Sequence, residues 1–79
     1  MTFDLRQPQW RIYVIQAGCF DISFNFSGPK RAALKEAANE LLARKRRGLR
    51  QRGSLYRDRC AVLEHPAFGI DTCVRIERW

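Results

Sequence analysis

One short stretch constrains the fold more than any other: across residues 20–26 apolar and polar side chains alternate without a break. Phe20, Ile22, Phe24 and Phe26 share one side, and Asp21, Ser23 and Asn25 the other. Successive side chains of an extended chain point to opposite faces, so this pattern predicts a half-buried β-strand. Residues 10–17, Trp-Arg-Ile-Tyr-Val-Ile-Gln-Ala, are rich in β-branched and aromatic types. They predict a strand with Trp10, Ile12 and Val14 on one face and Arg11, Tyr13 and Ile15 on the other. The two strands are close enough to form a hairpin around Ala17-Gly18-Cys19.

After residue 26 the period changes. Ser27-Gly28-Pro29 is a helix-start signal, with Pro29 at the first helical position and Ser27 or Gly28 as the cap. Leu34, Ala37, Ala38, Leu41 and Leu42 then recur at helical spacing and form one apolar stripe. Glu36 and Glu40 precede Arg44, Lys45, Arg46 and Arg47, an order the helix dipole favours. Gly48 or Gly53 is expected to end the helix.

Residues 55–63 read as a third strand, with Tyr56, Cys60 and Val62 on the core face and Arg57 and Arg59 facing out. His65-Pro66-Ala67-Phe68-Gly69 is a turn. Residues 70–79 read as a fourth strand, in which Ile70, Thr72, Val74 and Ile76 alternate with Asp71, Cys73, Arg75 and Glu77. Residues 1–8 form a short polar lead. The expected fold class is α+β, in the order ββαββ: a four-stranded antiparallel sheet with one amphipathic helix packed on one face. Residues 1–79 leave room for one small domain, and 46% hydrophobic residues are enough to build its core.

The charge balance is the strongest functional signal. Fifteen Lys and Arg against eight Asp and Glu leave a net charge of +7. Arg44, Lys45, Arg46, Arg47, Arg50, Arg52, Arg57 and Arg59 place eight cations within sixteen positions, with Asp58 the only acid among them. Guanidinium groups present a planar fork of donors that matches carboxylates and phosphates. The expected partner is an acidic protein surface or a nucleic acid. The bland alternative is a solvated helix end, which accounts for two or three such residues but poorly for eight. The wet sheet face would add Arg11, Tyr13 and Arg75, an aromatic and arginine combination of the kind that stacks nucleobases.

Catalysis is not expected. The single histidine, His65, has no nucleophile beside it in sequence, no carboxylate pair has a suggestive spacing, and no phosphate-cradling glycine loop occurs. Cys19, Cys60 and Cys73 do not have zinc-site spacing, so neither a metal nor a cofactor is expected. An odd cysteine set leaves one thiol over. In a reducing cytosol all three are most simply free thiols; the alternative is that Cys73, which strand alternation places outward, makes an intermolecular disulfide in a homodimer built on the open sheet face or on the last strand. The N-terminus has no signal-peptide pattern, and no apolar run is long enough to cross a membrane. The expected compartment is the cytoplasm of a bacterial host.

Residues 10–26, 27–52 and 55–79, as ββ, α and ββ in so short a chain, resemble the small phage-encoded anti-CRISPR proteins that inhibit type I surveillance complexes. The resemblance covers the whole chain and rests on size and organisation. It implies a stoichiometric inhibitor that docks on the Cascade complex and blocks target DNA binding. These inhibitors share no motif, so no site residue carries over. A basic chain cannot imitate DNA; it would dock on an acidic patch of a Cas subunit or contact nucleic acid itself. The competing expectation is a small basic nucleic-acid-binding module, such as a repressor or an architectural protein.

Overall fold

The computed structural model describes residues 6–79; the first five residues of the polar lead lie outside them. The chain runs β1 (Gln9–Gln16), β2 (Ile22–Ser27), α1 (Lys30–Arg44), β3 (Arg50–Arg52), α2 (Leu55–Asp58), β4 (Cys60–His65) and β5 (Gly69–Arg78). The strands form one sheet in the order β2-β1-β5-β4-β3, and every neighbouring pair is antiparallel. The α+β class is as expected. The described residues contain five strands and two helices instead of four and one.

Alternation dictates which face is buried. Trp10, Ile12 and Val14 of β1 and Thr72, Val74 and Ile76 of β5 are buried, together with Ala61 and Leu63 of β4. Helix α1 lies mainly across β5. Ala33 and Ala37 are both wholly buried, and their small side chains let the helix approach the strands, while Leu34 and Leu41 fill the space between. Full burial of a Leu or Ile side chain contributes roughly 1.5–3 kcal/mol, so Ile12, Leu63 and Ile76 are major sources of stability.

The corner between β2 and α1 is held by Trp10. Its indole N–H donates to the Gly28 carbonyl at 3.0 Å, and the Gly28 N–H donates to the Pro8 carbonyl at 2.9 Å. Gly28 has φ +151°, and a Cβ there would stand 3.0 Å from the Phe26 ring. Only glycine fits such a position without a shift. Pro29, not Ser27 or Gly28, is the N-cap, and its carbonyl accepts from the Ala33 N–H at 3.1 Å.

Four expectations are corrected. First, residues 55–63 are not one strand. Residues 55–58 form a helical turn, the Ser54 N–H donates to the Asp58 carboxylate at 3.1 Å, and Arg59 leaves in the left-handed conformation at φ 58°. The strand starts only at Cys60, with Ala61 and Leu63 inward and Cys60 and Val62 on the open face; Tyr56 is 61% exposed. Second, α1 ends at Arg44, ahead of both Gly48 and Gly53, because Lys45 turns to extended geometry and the chain must bend to bury Leu49. Third, Phe20 is 95% exposed in the hairpin turn, and Leu42 of the expected stripe is 61% exposed beyond the packed face of α1. Fourth, Ile70 does not share the buried face of Thr72, Val74 and Ile76: the register between β4 and β5 slips by one, so that Leu63 faces Thr72 but Glu64 faces Ile70. Asp71 is thereby left without a β4 partner, and Ile70 joins the open face with Glu64.

A candidate basic docking site after helix α1

The eight clustered cations do not form one patch. Five have partners. Arg44 pairs with Glu40 one helical turn earlier at 2.7 Å. Arg46 bonds the Asp71 carboxylate. Arg52 lies 3.7 Å from Glu64 and Arg57 3.4 Å from Asp58. Arg59 stands over the Trp10 ring at 5.8 Å, and Arg78 stands over the same ring at 5.3 Å. The four ion pairs contribute at most about 1 kcal/mol each but balance the local charge; the neutral indole holds Arg59 without cancelling its charge.

Lys45, Arg47 and Arg50 differ. All three are exposed and have no ion pair or side-chain hydrogen bond among the described residues. They occupy the loop that follows α1 and the first position of β3. That loop is tightly turned: the Leu49 N–H donates to the Arg46 carbonyl at 3.1 Å, Gly48 has φ +92°, and the His65 ring lies beside Gly48. Burial of Leu49 pins the loop to the core. An open groove of about 470 Å³ adjoins it, lined by Gln16, Glu40, Ala43, Arg44 and Arg46. Arg44, which helps to line it, has a buried Nε with no hydrogen-bond partner among the described residues.

The concentration of charge from Arg44 to Arg59 is therefore divided. Residues 44–50 lie where β1 ends and β5 begins, as the Arg46–Asp71 bond shows. Arg57 and Arg59 belong to the opposite end of the sheet, near Trp10 and Arg78. Sequence reasoning could not see this division, because it depends on β3 and β4 running back along the sheet.

Arg11, Tyr13 and Arg75 do share the open face. Tyr13 faces Arg75 across β1 and β5, and the Arg75 guanidinium covers its ring at 4.7 Å. Arg75 also lies 3.4 Å from Glu77. Arg11 donates to Asn25 Oδ1 and Ser23 Oγ, each at 2.7 Å, and stands 5.3 Å over the Trp79 ring. These aromatic faces are occupied by guanidinium groups of the chain itself. A nucleobase would have to displace them before stacking.

Cys73 lies on the open face as expected, but β5 is a central strand, paired on both sides. It cannot supply an edge for a dimer. The Cys73 thiol stands 3.8 Å from the Cys60 thiol of the same chain. Burial, reinforced by the contact with Cys60, pushes the Cys73 thiol above its ordinary pKa, which keeps it protonated and a poor nucleophile. Cys19 is the exposed cysteine. No group of three or more metal-binding side chains occurs among the described residues, and no helix among them is long and apolar enough to cross a membrane. No protein-family model, curated protein or solved structure matches the chain.

Proposed function

We propose that the chain is a non-enzymatic, stoichiometric binding protein that docks through Lys45, Arg47 and Arg50 on an acidic protein surface. On this reading it is a phage-derived inhibitor: it occupies an acidic patch of a Cas subunit in a type I Cascade complex and keeps target DNA from binding. The observation that carries the reading is the grouping of three exposed cations without side-chain partners among the described residues beside an open groove. A carboxylate supplies the opposite charge and hydrogen-bond acceptors for their N–H groups together. The anchored loop presents the three cations with little ordering cost on binding. Nucleic-acid binding is less favoured, because the guanidinium groups of the open sheet face already cover its aromatic rings.

A gel-shift titration tests the reading. Purified type I complex binds labelled target DNA, and rising amounts of the protein should abolish that binding near molar equivalence. The triple variant Lys45→Glu, Arg47→Glu, Arg50→Glu leaves the five partnered arginines untouched and should restore it. The protein alone is assayed on the same duplex. A shift by the protein alone that fades as salt rises, with no effect on the complex, would replace the proposal by the nucleic-acid reading.

A further inference from the structure

The sheet has two edges, and they are unlike. β3 is three residues long, and both Arg50 and Arg52 are exposed on it. A second β3 laid against it would set like charges opposite one another, a common guard against edge pairing. β2 is twice as long and reads Ile-Ser-Phe-Asn-Phe-Ser. It has no charge, no proline and no bulge in its pairing with β1. No strand pairs with its outer side among the described residues.

The phase of the ladder shows which groups that edge presents. The Gly28 N–H bonds the Pro8 carbonyl, one step beyond the Gln9–Ser27 pair. Bonded positions alternate along an antiparallel ladder. Ile22, Phe24 and Phe26 therefore turn their backbone groups inward to β1, and Ser23, Asn25 and Ser27 turn theirs outward. The far side of β1 agrees: Gln9 and Ala17 exchange bonds with β5, where the Trp79 N–H donates to Gln9 and the Ala17 N–H to Asp71.

We infer that the outer edge of β2 pairs with the same edge of a second copy, joining the two sheets across a twofold axis at Asn25. In that register Asn25 faces Asn25 of the second copy, Ser23 faces Ser27, and Phe24 faces Phe26. The three outward positions form about six backbone hydrogen bonds, two per facing pair. Each face of the joint is complementary to itself. The open side sets hydroxyls and amides opposite one another. The helix side sets Phe24 against Phe26, both of them only partly buried by their own chain. Arg11, which holds Asn25 and Ser23, stands near the axis in both copies. Association therefore strengthens with added salt, opposite to the salt dependence of anion binding. The joint is separate from the Lys45, Arg47 and Arg50 loop and stands whether or not that loop docks as proposed.

The test combines solution mass with amide hydrogen exchange. Light scattering across a concentration series should show the mass doubling, and the amides of Ser23, Asn25 and Ser27 should gain protection in step. Asn25→Pro removes the central outward N–H without breaking the bond ladder to β1; it should stay monomeric with an unchanged far-ultraviolet spectrum. In a background with Cys19, Cys60 and Cys73 changed to Ser, Asn25→Cys should cross-link between copies under diamide, and Ser23→Cys should not, because only residue 25 faces itself. A monomer at every concentration with these three amides freely exchanging would overturn the inference. So would protection of those amides in a monomer, which would mean that the chain covers its own edge or that another partner does. Cross-linking of Asn25→Cys no faster than Ser23→Cys would overturn it as well.

Discussion

Trp10→Phe is the sharpest test of how the fold presents helix α1. The side chain is 4% exposed, and its indole N–H is the donor that meets the Gly28 carbonyl at the β2–α1 corner. Phenylalanine keeps an aromatic face for Arg59 and Arg78, so the cation–π contacts largely survive. What is lost is the hydrogen bond, and the Gly28 carbonyl is left buried without this partner, at a cost of about 1–3 kcal/mol. The smaller ring leaves a void that adds on the order of 1 kcal/mol. The expected loss is therefore about 2–4 kcal/mol, against a total of roughly 4–12 kcal/mol for a chain of this length. Urea denaturation followed by far-ultraviolet circular dichroism reads this directly, because it does not depend on the substituted chromophore. The midpoint should fall with an unchanged slope, and the melting temperature should drop by about 10–25 °C. A loss below about 0.5 kcal/mol would refute the claim that the indole N–H holds the corner.

Three further outcomes follow from the packing and the titrating groups. Leu41→Ala should cost about 2–5 kcal/mol in the same denaturation assay and Leu42→Ala less than about 1, since Leu41 is 3% exposed and Leu42 61%. Iodoacetamide should label the exposed Cys19 well ahead of Cys73, whose thiol is kept protonated by burial and by Cys60, detected by peptide mapping; Cys73 labelled as fast as Cys19 would contradict the placement. Asp71 is held below its ordinary carboxyl pKa by the Thr72 hydroxyl first and by Arg46 after it, against the opposing effect of burial. A lowered folded-state pKa stabilises the fold above the unfolded value, and this contribution is lost as pH falls through the folded value. Wild type should therefore lose stability relative to Asp71→Asn in that acid window, and equal pH profiles for the two would show that Asp71 makes no such contribution.

Much of the sheet was legible because alternation has a physical cause. Trp10, Ile12 and Val14, and Thr72, Val74 and Ile76, are buried as the pattern requires. The pattern failed where a single residue shifts the phase. Asp71 drops out of the β4 ladder and flips Ile70. The turn at residues 55–58 is too short for helical periodicity to register, and Arg59 adopts a left-handed conformation that glycine more commonly takes. β3, Arg-Gln-Arg, has no apolar residue and so no strand signal. The candidate site was legible as a cluster but not as a sorted one. Glu40 is within sight of Arg44 in sequence, whereas the Arg46–Asp71 and Arg52–Glu64 pairs join residues that only the fold brings together. The strand order, which decides that β5 is central and β2 is an edge, leaves no local trace in composition.

The central claim is that, of the eight clustered cations, Lys45, Arg47 and Arg50 are the ones left free to bind. An amide-resolved nuclear magnetic resonance titration with polyglutamate, a simple acidic polypeptide, tests it most directly. The account predicts saturable shifts concentrated over residues 44–50, lost in the triple glutamate variant and weakened by salt. Shifts centred instead on Arg11, Tyr13 and Arg75, or spread evenly over all the arginines, would contradict it.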